Sequence, residues 1–176
     1  MAPRVLWLER VFENGFAPAL YPAFLERLRG TPARLEESLA AVPADVLVRR
    51  DGPEGDGWSI QENVGHLLDL EYLPAARIED FLAGAETLTP WLGNDDTDAA
   101  GYNGRPLAEI LTAFRAARTE LLARLDALVE EDFARESLHP RVKTRMRMID
   151  LLFFQAEHDD HHLARIHELK RHFGVA

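Results

Sequence analysis

Leu107, Ile110, Leu111, Phe114, Leu121, Leu122, Leu125 and Leu128 recur at spacings of three and four residues, which commits this stretch to an amphipathic helix. Pro106 stands at its start. The same periodicity returns along the chain, and nowhere do apolar and polar residues alternate as in a half-buried strand. The expected fold is therefore all-α.

Pro18–Ala41 carries Leu20, Phe24, Leu28, Leu35 and Leu39 on one stripe, interrupted by Gly30-Thr31-Pro32. Thr31 can cap a restart with Pro32 at the first helical position, so this is either one kinked helix or two. A polar loop, Asp51–Gly57, follows. Ser59-Ile60-Gln61-Glu62 then has the form of a capping box. Ile60, Val64, Leu67, Leu68, Tyr72, Ile78 and Leu82 continue a helix expected to bend at Pro74 and end at Gly84. Thr87–Gly104 reads as a long loop, and Glu130–Lys143 as irregular. The last helix is expected from about Thr144 to His172.

These segments predict a four-helix bundle. Connections of more than a dozen residues call for at least one long crossover. The region from Arg4 to Asn14, with Leu6, Trp7, Val11 and Phe12, adds an N-terminal helical arm. Residues 1–176 are expected to form one domain, with 1–16 as the arm.

A net charge of -10 argues against nucleic acid or an anionic membrane as the main partner. No basic-then-apolar segment opens the chain and no apolar run nears membrane-spanning length, so a cytoplasmic protein is expected. The absence of cysteine excludes disulfides, thiolate ligands and a cysteine nucleophile. Any metal site must use His, Asp, Glu or water.

The last helix contains Glu157-His158-Asp159-Asp160-His161-His162. His158 and His162 lie one turn apart on the inward stripe with Leu151, Leu152, Gln155, Ile166 and Leu169, so both imidazoles can reach one ion. His161 is displaced by about 100° and falls at the edge of that face. His66, on the helix that Ser59 caps, is the candidate third ligand. Asn63 and Asp69, one turn to either side, are candidates to orient it. A lone inward histidine is more often a hydrogen-bonded core residue than a ligand. Three of them would leave several buried nitrogens to satisfy, which favours a metal. Glu62 is a weak candidate for acid–base work because its capping role already explains it. The zinc-protease pattern His-Glu-x-x-His has Asp159 in place of its glutamate, which disfavours that class.

Trp58-Ser59-Ile60-Gln61-Glu62-Asn63-Val64-Gly65-His66-Leu67, with the histidine run of the last helix, resembles the DinB-like (DinB/YfiT) family of metalloenzymes. The resemblance covers roughly Pro18 to Arg171 and leaves the N-terminal arm outside. It implies a four-helix bundle, often dimeric, with a divalent metal, zinc or nickel, held by His66, His158 and His162 with water completing the shell; His161 adds a possible competing ligand. It also implies a thiol S-transferase-like or hydrolase reaction on a small molecule, with a low-molecular-weight thiol as one substrate class. A non-catalytic metal-binding or stress-responsive protein is the alternative, and a helical interaction module without metal is the third reading.

Overall fold

The computed structural model describes residues 5–52 and 57–175. Tyr21–Leu39 form one continuous helix, α1, entered through a 3-10 turn at Pro18–Leu20. Pro32 cannot donate to the Leu28 carbonyl one turn earlier. That carbonyl instead accepts Arg118 Nη1–H at 2.8 Å, so a neighbouring helix satisfies the break. A short helix, α2 (Ala44–Leu47), leads toward α3 (Ile60–Asp69). Of the polar loop between them, residues 53–56 lie outside the described residues.

The capping box at the start of α3 forms as its spacing predicts. Ser59 Oγ accepts Glu62 N–H at 3.1 Å, and Glu62 Oε2 accepts Ser59 N–H at 2.9 Å. The stretch to Leu82 is not one bent helix, however. It divides at Leu70–Glu71 into α3 and α4 (Tyr72–Leu82). Pro74 has no N–H for the Leu70 carbonyl. Leu73 N–H takes that carbonyl at 3.0 Å in a tighter turn. Gly84, at φ +70°, closes α4.

The stretch 87–104 holds a short helix, α5 (Asp95–Ala99), and a 3-10 turn at Tyr102–Gly104. The helix α6 covers Leu107–Asp126. Two short strands then add a small hairpin to the otherwise helical fold. β1 (Glu136–Leu138) and β2 (Arg145–Arg147) pair antiparallel, with Ser137 opposite Met146. The inward residue of β1 is the buried Ser137, whose Oγ donates to the Ala85 carbonyl at 2.7 Å. A polar inward side chain in so short a strand leaves no alternation to read. The last helix, α7, consequently begins at Met148 rather than near Thr144, and runs to His172.

The described part of the N-terminal arm is helical only in a 3-10 turn, Trp7–Glu9; residues 1–4 lie outside the described residues. Trp7 and Phe12 pack on Phe154 of α7, with ring centroids at 4.9 and 4.6 Å. Asp150 Oδ1 accepts the N–H groups of Gly15 and Phe16, which ties the arm to the first turn of α7. Val5, Leu6, Leu8 and Val11 face outward.

α1 packs on α6 and α7, and α3 packs on the same two helices. α1 thus faces α3 across the bundle, and α6 faces α7. Successive helices of an up-down bundle sit side by side; here the α1–α3 and α6–α7 connections both run diagonally. Among the described residues no helix is long and apolar enough to cross a membrane.

Each arm of the bundle loses its apolar character at one level. On α1, Thr31 separates Leu28 from Leu35; on α6, Arg118 separates Phe114 from Leu121; on α7, His158, Asp159 and His162 separate Ala156 from Ile166. Glu71 occupies the break between α3 and α4. These residues form a buried polar layer between two apolar clusters. Arg118 donates to both Glu71 carboxylate oxygens at 3.0 and 2.6 Å, to both Asp159 oxygens at 2.6 and 3.2 Å, and to the Leu28 carbonyl. These five hydrogen bonds match the five N–H groups of a guanidinium. Thr31 Oγ1 also donates to Asp159, at 2.7 Å.

Candidate metal centre

The histidines sit in this polar layer, beside the Arg118 network. On α3 the Ser59 cap sets the helix start, and His66 comes two turns later with 4% of its surface exposed. Glu62 is held by Ser59 N–H and by an ion pair with Arg50, so its carboxylate is committed to the cap. A Cβ at Gly65 would lie 2.2 Å from the Tyr102 ring, so only glycine lets that ring close over α3. On α7 the one-turn spacing brings His158 and His162 to the same face, both buried.

The structure brings His66, His158 and His162 together, each with one ring nitrogen within 4.8 Å of the others'. His158 Nε2 and His162 Nε2 are 3.2 Å apart. His161 is half-buried, packs on Trp7 and His162, and stands outside this converging group. Among the described residues no carboxylate joins the group.

Hydrogen bonds set the ring tautomers. Asn63 Nδ2 donates to the Ser59 carbonyl at 2.8 Å, which turns Asn63 Oδ1 toward His162 Nδ1 at 2.9 Å. His162 therefore carries its proton on Nδ1 and presents the Nε2 lone pair to His158. Thr97 Oγ1 donates to Asp69 Oδ2 at 2.7 Å and so accepts from His66 Nδ1, 3.3 Å away. Tyr102 donates its hydroxyl to the other Asp69 oxygen. Asn63 thus orients His162, and Asp69 acts on His66 through Thr97, a residue the sequence reading had not singled out. Trp58 packs over the His66 ring at 4.6 Å.

Burial pushes the His66 imidazole down to about 4. Burial also holds His158 well below the ordinary histidine range, with the nearby His66, His161 and Arg118 adding to the effect. Both rings are neutral at pH 7. Two Nε2 atoms facing each other at 3.2 Å, one with its lone pair already aimed inward, suit a shared cation. Nitrogens bound at about 2.0–2.1 Å to one tetrahedral zinc lie roughly 3.3 Å apart. The donor set fits a divalent metal, and three imidazoles leave a coordination position for water or substrate. A cavity of about 60 Å³ adjoins His158.

Replacing Thr97 with valine keeps the side-chain shape and removes the acceptor for His66 Nδ1–H. The expected result is a fall of about 10–100-fold in metal affinity with the fold retained. Competition against a chromophoric zinc chelator measures it. Unchanged affinity would show that packing against Trp58 alone fixes the His66 ring.

The DinB superfamily model matches residues 27–166. Over 165 residues the chain is 26% identical to YfiT of Bacillus subtilis (strain 168), covering 86% of this chain and 84% of that protein. The solved YfiT structure, described as a probable metal-dependent hydrolase with an unusual four-helix bundle topology, aligns with a TM-score of 0.81 at 20% identity over 95% of both chains. DfsB, a sibling lethal factor precursor, aligns at 0.66 and 21% identity, covering 89% of this chain and 98% of its own. A Streptococcus pneumoniae protein aligns at 0.63 and 15% identity, covering 92% and 93%. At these identities the structural likeness concerns the fold.

Proposed function

The chain belongs to the DinB superfamily, and from that premise we propose that it is a metal-dependent enzyme acting on a small molecule, with His66, His158 and His162 as ligands of zinc or nickel. The observation that carries this reading is the convergence of three buried imidazoles, two of them facing at 3.2 Å, with no carboxylate among the described residues to close the site. The metal would supply a Lewis acid that lowers the pKa of a coordinated water or thiol. That chemistry serves a hydrolase, the description attached to YfiT, or a thiol transferase.

The chain's own residues orient and shield. Asn63 and the Asp69–Thr97 pair hold the Nδ1 protons of His162 and His66, keeping the opposite nitrogens available. Trp7 packs edge-on against His158 at 5.0 Å and Trp58 lies over His66, so indoles screen the centre from bulk water. With no cysteine in the chain, a reacting thiol must come from the substrate. A homodimer using the outward apolar residues of the N-terminal arm belongs to the same proposal.

The test starts from metal content. Purified protein is stripped with EDTA, reloaded with zinc or nickel, and assayed for ester and amide hydrolysis and for thiol consumption with electrophilic acceptors. Turnover is expected only in loaded protein and is expected to vanish in His162→Ala. A chain that holds no divalent ion after reloading overturns the proposal.

A further inference from the structure

The cavity beside His158 lies between α4, α7, the N-terminal arm and the turn that follows β1. Its walls hold donors that the fold leaves unused. His139 is 1% exposed, and its Nδ1 faces the N–H groups of Arg141 and Val142 at 3.2 and 3.4 Å. Its proton is therefore on Nε2, and that atom is buried with no partner among the described residues. Among the described residues, Trp91 Nε1 and Arg141 Nη2 are also buried without partners. Arg77, 4% exposed, uses Nε on the Thr89 carbonyl at 2.9 Å.

Neither Arg77 nor Arg141 pairs with a carboxylate among the described residues, unlike Arg27, Arg34, Arg118 and Arg147. Asp80 acts on Arg77 at longer range while its Oδ2 accepts Thr89 N–H. The Arg141 guanidinium rests on the rings of Trp7 and Phe154 at 5.4 and 5.3 Å. Burial lowers Arg141 and takes Arg77 down to about 10, so both remain cationic at neutral pH. A buried cation and a half-buried one, neither in an ion pair among the described residues, are costly to hold in one cavity. In a chain of net charge -10 they are better explained by a ligand than by a shortage of carboxylates.

We propose that this cavity binds the carboxylate of an organic acid substrate, with Arg77 and Arg141 as its counter-ions and His139 Nε2 and Trp91 Nε1 as further donors. At about 60 Å³ the cavity has room for a carboxylate group. Guanidinium groups bind planar carboxylates in a fork. The apolar walls, Leu73 and Phe154 among them, disfavour the heavier desolvation of a dianion. The proposal rests on the metal reading only in placing the reacting bond beside His158; acid binding itself needs no metal.

The probe is phenylacetate, titrated into EDTA-treated, nitrogen-15-labelled protein and read on the indole N–H signals of the three tryptophans. Phenylacetate is expected to move the Trp91 signal, and uncharged phenylacetamide to bind at least about tenfold more weakly. Arg141→Gln, at a half-buried position, is expected to cost a similar factor. Arg77→Met is the second variant, judged only if its spectrum stays dispersed. Equal binding of acid and amide, or an Arg141→Gln affinity equal to the parent's, overturns the proposal. Tighter binding of benzylphosphonate than of phenylacetate overturns the choice of carboxylate. A parallel zinc titration keeps the two readings apart: zinc binding without acid binding sinks only this proposal, and acid binding without zinc sinks only the metal centre.

Discussion

Replacing Arg118 with methionine is expected to destabilise the protein by about 3–5 kcal/mol. Arg118 is 1% exposed and every N–H of its guanidinium has an acceptor. Removing it strands the Glu71 and Asp159 carboxylates and the Leu28 carbonyl in the core. Burial already raises Glu71 above the usual carboxylate range despite Arg118, and nearby Asp159 adds to the rise. Burial alone would lower Arg118, but Asp159 and Glu71 outweigh it and hold the guanidinium above its ordinary value. For a chain of this length the loss corresponds to a Tm drop of roughly 6–20 °C. Urea unfolding followed by circular dichroism measures it. Replacing all three charges together with apolar residues is expected to recover most of the loss, because an apolar layer of similar volume carries no stranded charge. A single-variant loss below about 1 kcal/mol, the size of a surface pair, would contradict a desolvated network.

His158→Ala is expected to weaken zinc binding by roughly two to three orders of magnitude. A four-ligand zinc site is worth about 10–16 kcal/mol, and an equal share for each ligand gives that loss. The readout is the metal-dependent gain in stability, since the alanine also changes packing against Trp7 in the metal-free state. With zinc at about 1,000 times the parent's Kd, the parent is expected to gain about 4 kcal/mol and the variant only about 0.4–1.4 kcal/mol at the same concentration. An equal gain in both proteins would place the ion elsewhere. The pH dependence follows from His66, whose folded value of about 4 lies below its ordinary 6.5. Above pH 6.5 both folded and unfolded forms are neutral there, and His66 contributes nothing. As pH falls from 6.5 toward 4 the unfolded chain takes up the proton first, so metal-free stability declines over that window. Zinc, which competes with the same proton, is expected to stay bound at about pH 5.5.

The legible parts of the fold are those whose signals are local. The three-four repeat of α6, the Ser59–Glu62 cap and the one-turn spacing of His158 and His162 each depend on residues within a few positions of one another. The division at Leu70–Glu71 was readable only as a bend. Pro74 announces a lost hydrogen bond, and only the neighbouring turn shows where the chain breaks. The β1–β2 hairpin left no pattern because its inward residue is Ser137. Arg118 did leave a trace: the α6 stripe has a gap between Phe114 and Leu121, and that gap is the arginine. Thr97 left none, since a threonine in an acidic loop has no periodic context.

The sequence by itself determined the helix-forming segments, the capped start of α3, the exclusion of cysteine chemistry and the histidines to examine. Those properties depend on backbone sterics, side-chain period and residue type. Tertiary structure alone decided that the four arms carry their polar residues at one level, that Arg118 supplies the bond Pro32 withholds, and that His139, Trp91, Arg77 and Arg141 meet beside His158. Those arrangements join elements distant in the chain. Their energies arise from desolvation and hydrogen bonding between helices, which a one-dimensional pattern does not encode.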